Sequence, residues 1–431
     1  MKLDDITIGI VGLGYVGLPL AIHLAKHFHL IGYDTNPAKI RHLNDKHDYT
    51  GDLEKDALQT TTATFTDDER ALKQANLFIT AVPTPVRADK TPNYSFVISA
   101  AETIGSHIQP GSIAVLESTV APGATEELFG PTIARISGLR CGTDFKLGYS
   151  PERINPGDRE HTVDKITKIV SAQDSETLET LAAVYGAING GRIHHAPTIK
   201  TAEMAKVIEN TLRDGIIAYF NEFSRIARAE SIDVNDVLAA ARTKWNFPAG
   251  FAPGLVGGHC LPEDPFYLLL RALEKGYHSQ LILSARRVND TMHHDIVDSV
   301  VKALNDTDHV PRRSALLLMG LTFKENVNDS RHSGAASVIT ALREYGISLY
   351  GCDPHLDDMR ISREFGIIPT TVNDAPARVA GVVHLVNHDA FKQHTLAELR
   401  ARCDGKPFLF DLKRAYDKRD AEKNGFVYLS L

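Results

Sequence analysis

Cys260 stands in the run Gly257-Gly258-His259-Cys260-Leu261-Pro262-Glu263-Asp264. Glycines ahead of a cysteine carry no Cβ to crowd a carbon approaching over the backbone, so the sulfur is open to act as a nucleophile. A lone cysteine is more often inert packing, and what changes that balance here is the stretch Gly12-Leu13-Gly14-Tyr15-Val16-Gly17, the glycine pattern of a dinucleotide pyrophosphate turn. The two together suggest hydride removal by a nicotinamide and covalent capture by a thiol in one protein. Asp34, about 20 residues past the glycines, is the acid that would accept from the ribose hydroxyls. It favours NAD over NADP, because a 2′-phosphate would be repelled.

The elements that must hold these groups follow from apolar periodicity. Residues 6–11 form a short apolar run entering the glycine turn, residues 18–27 continue with helical spacing, and residues 30–33 end at Asp34. That is a βαβ unit, with the helix N-terminus placed for a pyrophosphate. Further strands are expected at 77–82 and 112–116, ending in Pro83-Thr84-Pro85 and Glu117-Ser118-Thr119; in a parallel sheet such ends face the ligand. Residues 201–230 predict one helix of about eight turns. Its spacing puts Glu203, Lys206, Asn210 and Arg213 on one face, either a functional row or a solvated stripe. Beyond Pro311 the pattern restarts: a strand at 314–320, a helix at 334–345, a strand at 347–350 closing on Asp353. The glycine fingerprint is replaced there by Leu321 to Arg331, whose Lys324 and Arg331 could hold a second phosphorylated ligand by charge.

Composition bounds the rest. At 431 residues the chain exceeds one hydrophobic core, and 43% hydrophobic residues fit a soluble protein. No apolar stretch reaches the roughly 20 residues of a membrane span, and the first five residues are too polar for a secretory signal. A cytoplasmic protein, with no membrane partner, is expected. Cys141, Cys260, Cys352 and Cys403 are too scattered for zinc or a redox pair. A net charge of −7 argues against a nucleic-acid partner. Nineteen histidines raise the question of a metal, but His194-His195 and His293-His294 are chain neighbours and not pairs on one helical face, so they read as surface residues and no metal is expected.

Taken in order, Gly12 to Pro19, Val82-Pro-Thr-Pro, Glu117 to Gly123, Ser150-Pro-Glu-Arg, Lys206 to Asn210, Gly257 to Cys260 and Phe323 to Arg331 resemble the UDP-glucose/GDP-mannose dehydrogenase family, nearly end to end. Pro151-Glu152-Arg153 and Gly257-Gly258-His259-Cys260 look like its branch acting on UDP-N-acetylhexosamines, and the stretch from Thr243 to Phe247 with that from Pro253 to Cys260 is similar to the C6 dehydrogenases of capsule, O-antigen and Vi-antigen synthesis. The resemblance implies oxidation of a sugar C6 alcohol to a carboxylate with two NAD⁺, through a Cys260 thiohemiacetal and thioester, for surface-polysaccharide precursors. It implies UDP-N-acetylglucosamine or UDP-N-acetylgalactosamine as substrate, with UDP-N-acetylmannosamine or UDP-glucose as alternatives. A two-electron 3-hydroxyacid dehydrogenase, or a non-catalytic nucleotide sensor, is a remoter reading.

By the same resemblance, Lys206 and Asn210 stabilise oxyanions, Glu152 assists thioester hydrolysis, and Asp264 with Thr119 positions a water. Residue types alone allow Asp264 to be a helix N-cap before Pro265. Gly12, Gly14, Tyr15, Val16, Gly17, Asp34, Lys39, Thr84, Thr119 and Arg331 fall to the cofactor. Glu152, Arg153, Lys206, Asn210, Phe251, Gly254, Gly257, Lys324 and Arg414 fall to the UDP-sugar. Two positions depart from the UDP-glucose branch. Pro156 replaces an acid, and the arginine that would cross from a second subunit has only Arg242 or Lys244 nearby. The expected architecture is α/β: two doubly wound Rossmann-like domains joined by a long central helix and a helical middle domain. The divisions are 1–200 for NAD, 201–310 for dimerisation and the cysteine loop, and 311–431 for the UDP-sugar, in a homodimer through the central helix.

Overall fold

The computed structural model describes residues 2–51, 53–54, 56–153, 160, 162–376 and 378–431, so Pro156 lies outside the described residues. The chain divides into two compact units, Met1–Asn210 with Glu263–His278, and Thr211–Pro262 with Ser279–Leu431.

In the first unit, β1 (Thr7–Val11), β2 (His29–Tyr33), β3 (Thr64–Thr66), β4 (Leu77–Thr80), β5 (Ile113–Leu116), β6 (Lys146–Tyr149), β7 (Lys168–Ala172) and β8 (Ile193–His195) form one sheet. Its order is β3-β2-β1-β4-β5-β6-β7-β8. Every position of β4 and β5 is buried, as expected for parallel strands covered on both faces. The order reverses direction at β1, whose neighbours are β2 and β4; a ligand crevice belongs at the carboxyl ends of those strands. The expected strand at 77–82 stops at Thr80, ahead of Pro83, which has no N–H for a ladder. One pairing breaks the parallel pattern: β7 runs antiparallel to β6, with Gly148 opposite Ala172 and Tyr149 opposite Ser171. The first residue of β7, Lys168, therefore lies at the carboxyl edge of the parallel strands.

In the second unit, β9 (Ala315–Met319), β10 (Ser348–Cys352), β11 (Ile368–Pro369), β12 (Val379–His384), β13 (Cys403–Asp411) and β14 (Val427–Leu429) form an all-parallel sheet ordered β11-β10-β9-β12-β13-β14. It repeats the design of the first. Asp353, after β10, accepts from the N–H groups of Leu321 at 2.7 Å and Thr322 at 3.0 Å, just as Asp34, after β2, accepts from Leu13 N–H at 3.0 Å. In both sheets an acid beyond the second strand clamps the loop beyond the first.

Two helices pass from one unit to the other along the chain. The long helix spans Ile199–Ala229, 31 residues, or about 46 Å. The cysteine helix spans Cys260–Glu274 and contains Pro265. Because it begins four residues before Asp264, that acid is not an N-cap. The histidine reading needs one correction: the pairs at 194–195 and 293–294 are outside the core, but His107, His384 and His388 are buried. They sit in packed regions, His388 hydrogen-bonded through both ring nitrogens, and periodicity carries no sign of this. Among the described residues no helix is long and apolar enough to cross a membrane.

Candidate active site

The glycine turn is shaped by three different constraints. Gly12 has φ +95°, and a Cβ there would lie 2.6 Å from the Ala81 carbonyl oxygen; a Cβ on Gly17 would lie 1.9 Å from the Gly12 carbonyl oxygen. Gly14 differs, since a Cβ there would meet nothing within 4 Å. Its space is open on the side where a pyrophosphate approaches the backbone, which fits a dinucleotide. Asp34 accepts from Leu13 N–H and Asn36 N–H at 3.0 Å each and pairs with Lys39 Nζ at 2.9 Å. Lys39 thus lies beside the acid expected to meet the ribose. Tyr15 and Val16 remain partly accessible along the turn. Thr84 is held by its carbonyl, which accepts from the Tyr267 hydroxyl of the cysteine helix. Thr119 is half-buried just after Ser118, whose hydroxyl accepts from Val82 N–H at 3.0 Å and so ties the ends of β4 and β5 together.

The long helix does not present a solvated stripe. Glu203 is buried and accepts from Gly123 N–H at 2.5 Å and Thr125 N–H at 2.8 Å, a structural anchor for that loop. Lys206 is buried, Asn210 half-buried and Arg213 exposed, so the row turns outward along its length. Asn210 Nδ2 donates to Asp264 Oδ2 at 2.5 Å. Burial pushes the Asp264 carboxyl up to about 6, against the pull of the Lys206 ammonium and the Asn210 amide. A buried carboxylate beside an ammonium and an amide donor can accept a proton near neutral pH. Arg153 is held by Glu209 on the same helix, at 2.8 Å, and donates to the Thr167 carbonyl at 3.2 Å.

Glu152 has a partner that sequence reasoning missed. Lys168 Nζ lies 3.2 Å from Glu152 Oε2 and 2.8 Å from Glu117 Oε2, and all three residues are buried. Only the antiparallel turn of β7 brings Lys168 there, and nothing in local pattern announces it.

In the second unit Cys260 is exposed and is the first residue of its helix, where the positive end of the helix dipole favours an anionic sulfur. Asp264 follows one turn later on the same face. Gly258, at φ +82°, has Phe323 packed so close that a Cβ would lie 2.8 Å from its ring. Leu255, Gly257, Phe323, Lys324 and Lys413 line a cavity of about 270 Å³. An aromatic ring with two lysines suits a base and a diphosphate. Asn221, fully buried, holds the backbone of Gly254 from both sides: its Nδ2 donates to Gly254 O at 3.0 Å and its Oδ1 accepts from Gly254 N–H at 2.8 Å. Phe251 packs on Phe220 and its carbonyl accepts from Arg242 at 2.7 Å. Arg242 is therefore engaged within its own chain, whereas Lys244 is exposed.

The loop after β9 is fixed by His388. Its Nδ1 accepts from Asn326 N–H at 2.9 Å and its Nε2 faces Asp353 Oδ2 at 3.0 Å, which orients the loop carrying Lys324. Arg331 pairs with Asp329 at 2.8 Å. The structure does not bring Arg414 to the cavity. Arg414, at φ +51°, ion-pairs with Asp233, and the residue before it, Lys413, lines the cavity instead.

Sheet order, open glycine cradle and lysine-lined cavity describe a two-nucleotide oxidoreductase. Comparison with known proteins makes that specific. The UDP-glucose/GDP-mannose dehydrogenase family's NAD binding domain matches residues 6–189, its central domain 200–291 and its UDP binding domain 317–418. The chain belongs to the UDP-glucose/GDP-mannose dehydrogenase family, whose NAD-dependent members oxidise nucleotide sugars. It is similar to a UDP-N-acetyl-D-glucosamine 6-dehydrogenase of Pseudomonas aeruginosa, 42% identical over 422 residues, covering 96% of this chain and 98% of the relative. It is 39% identical over 412 residues to another protein of that name from Salmonella typhi, covering 95% and 96%. Among solved structures, a UDP-D-ManNAc dehydrogenase from Pyrococcus horikoshii matches with a TM-score of 0.87 and 27% identity over 99% of both chains.

Proposed function

We propose that this enzyme oxidises C6 of UDP-N-acetyl-D-glucosamine to the corresponding uronic acid through a thioester on Cys260, supplying a precursor for surface polysaccharide. The observation that carries this reading is Cys260 heading a helix whose next turn bears Asp264, buried beside Lys206 and Asn210. The near full-length likeness to two proteins named for that sugar supports the substrate.

NAD⁺, when bound, accepts a hydride in each oxidation. The chain's own residues do the rest. Asp264, with Thr119, holds a water and takes the C6 hydroxyl proton; Lys206 and Asn210 balance the charge that develops on oxygen. Cys260 Sγ bonds to the aldehyde carbon, retaining it as a thiohemiacetal, and this adduct can be oxidised again to a thioester. Glu152 assists the water that hydrolyses it. Gly12, Gly14, Gly17 and Asp34 hold the dinucleotide, and Gly257, Lys324 and the loop from Phe251 to Gly254 hold the UDP-sugar. NADH counting tests this directly: two NADH and one uronate are expected per UDP-N-acetyl-D-glucosamine, with the galactosamine and mannosamine epimers turned over more slowly. One NADH per sugar with accumulation of free aldehyde would overturn the mechanism.

The domain division that goes with this function is 1–200, 201–310 and 311–431. A cytoplasmic location follows from the cofactor and the nucleotide sugar. Homodimerisation along the long helix is part of the same reading: Met204, Ile208, Leu212, Tyr219, Phe223 and Ile226 are exposed at three-, four- and seven-residue spacing, an apolar stripe suited to a second copy of itself. Light scattering is expected to give a dimer for the native chain and a monomer for Leu212→Lys/Tyr219→Lys. An active native monomer at micromolar concentration would refute it.

A further inference from the structure

We propose that Glu117 and Lys168 are positioning residues for Glu152, the lysine bridging the two carboxylates in one buried array that sets the orientation and charge with which Glu152 serves hydrolysis. The proposal rests on the reading of Glu152 as the group that assists water. Its own basis is geometric.

The three residues come from the ends of neighbouring strands: Glu117 just after β5, Glu152 shortly after β6, and Lys168 opening β7. Lys168 Nζ is 2.8 Å from Glu117 Oε2 and 3.2 Å from Glu152 Oε2. The other oxygen of Glu152 accepts from Arg153 N–H at 2.5 Å, so each of its carboxylate oxygens has a fixed donor. Two carboxylates and one ammonium carry one excess negative charge when all are ionised. Buried charges are tolerated only with partners, and here two acids share one cation. The array can relax that excess by holding one proton. Glu117 Oε1 is buried and has no hydrogen-bond partner among the described residues, a place where that proton can sit. Burial pushes the Glu117 carboxyl up to about 7, opposed by Lys168 and helped by Glu152. The same two carboxylates hold the Lys168 ammonium above its usual range in spite of its own burial.

Tyr149 and Tyr185 also face the array. Tyr185 stacks its ring under Lys168 Nζ at 5.3 Å and turns its hydroxyl toward Glu117. Tyr149 and Tyr185 are pushed well above the ordinary tyrosine range, chiefly by burial, so neither gives up a proton to the array. Lys168 thus neutralises part of the charge on Glu152, and Glu117 competes for it. With Glu117 protonated, the ammonium serves Glu152 alone and holds its Oε2 in place. In the hydrolytic step the water oxygen bonds to the thioester carbon and the carbon–sulfur bond breaks, with the electron pair leaving on sulfur. Glu152 takes one water proton and returns it to that sulfur, and the other proton stays on the product carboxyl group until solvent removes it.

Pre-steady-state NADH bursts separate this from a structural role, because both hydride steps precede hydrolysis. Lys168→Met is expected to keep a burst of two NADH per enzyme and an unchanged KM for the sugar nucleotide. Its steady-state kcat should fall about 10- to 100-fold, with acyl-Cys260 accumulating by intact mass. Lys168→Arg should restore most of kcat. The isosteric Glu117→Gln holds that position permanently neutral, so the inflection of kcat expected near pH 7, where native Glu117 ionises and draws Lys168 away from Glu152, should disappear. If Glu117→Gln folds with an unchanged pH profile while Glu152→Gln stalls at the acyl-enzyme, the array is structural and the proposal is wrong. If Glu152→Gln hydrolyses at the native rate, the reading of Glu152 itself is wrong.

Discussion

Cys260→Ser is expected to lose uronate formation by about 10⁴- to 10⁶-fold while leaving fold and sugar-nucleotide affinity intact. The argument runs from the position of the residue. Cys260 is exposed at the start of its helix, so its side chain supports no core and its replacement by an isostere leaves no cavity. What changes is chemistry. A thiol is a few per cent thiolate at neutral pH and is intrinsically nucleophilic, whereas a serine hydroxyl needs a base aimed at it. An oxygen ester formed in place of the thioester would also release its acyl group more slowly, since alkoxide is a poorer leaving group than thiolate. The variant should therefore stall, either before capture or as an ester detectable by intact mass. Calorimetric binding of UDP-N-acetyl-D-glucosamine and the thermal midpoint check that only chemistry was lost. Uronate production near the native rate would show that the sulfur is not the nucleophile.

The parts of this site that sequence could reveal are those built from local pattern. The turn at Gly12, Gly14 and Gly17 is written into consecutive residues because backbone geometry and phosphate approach both demand glycine there. Asp34 was found by its distance from that turn, and the second doubly wound sheet by the same strand, helix, strand, acid rhythm ending at Asp353. Long-range pairing left no such trace. Glu117 and Lys168 are 51 residues apart and meet because the sheet reverses direction between β6 and β7. Asn221 and Gly254 are 33 apart and meet because a helix lies against a loop. The row on the long helix was half legible: spacing placed Glu203, Lys206, Asn210 and Arg213 together. Burial then separated them into an anchor, two residues gathered at Asp264 and a solvent-facing arginine.

Lys206→Met is expected to lower kcat by about 10²- to 10³-fold, and the pH dependence of what remains says why. Lys206 is buried, and the Asp264 carboxyl, lifted to about 6 by burial, is held from rising further by that ammonium and by the Asn210 amide. The sign is fixed by the direction of the shift. In the proposed mechanism Asp264 works as an anion, so native activity should decline as pH falls through about 6, where the carboxylate takes up a proton. Removing the ammonium takes away a stabiliser of the anion and leaves burial unopposed on that side, so protonation begins at higher pH. The acidic limb of kcat/KM must then move upward, toward neutrality, at the same time as the plateau drops. Methionine keeps the length and packing of the lysine stem, which makes loss of fold a poor explanation of either effect. Lys206→Arg supplies charge with different geometry: it should return the limb toward about 6 while recovering little of the plateau, because a planar guanidinium does not place a donor where a compact ammonium did. A Lys206→Met enzyme whose limb stays where the native one lies would mean that the lysine acts on the substrate oxygen alone and not through Asp264.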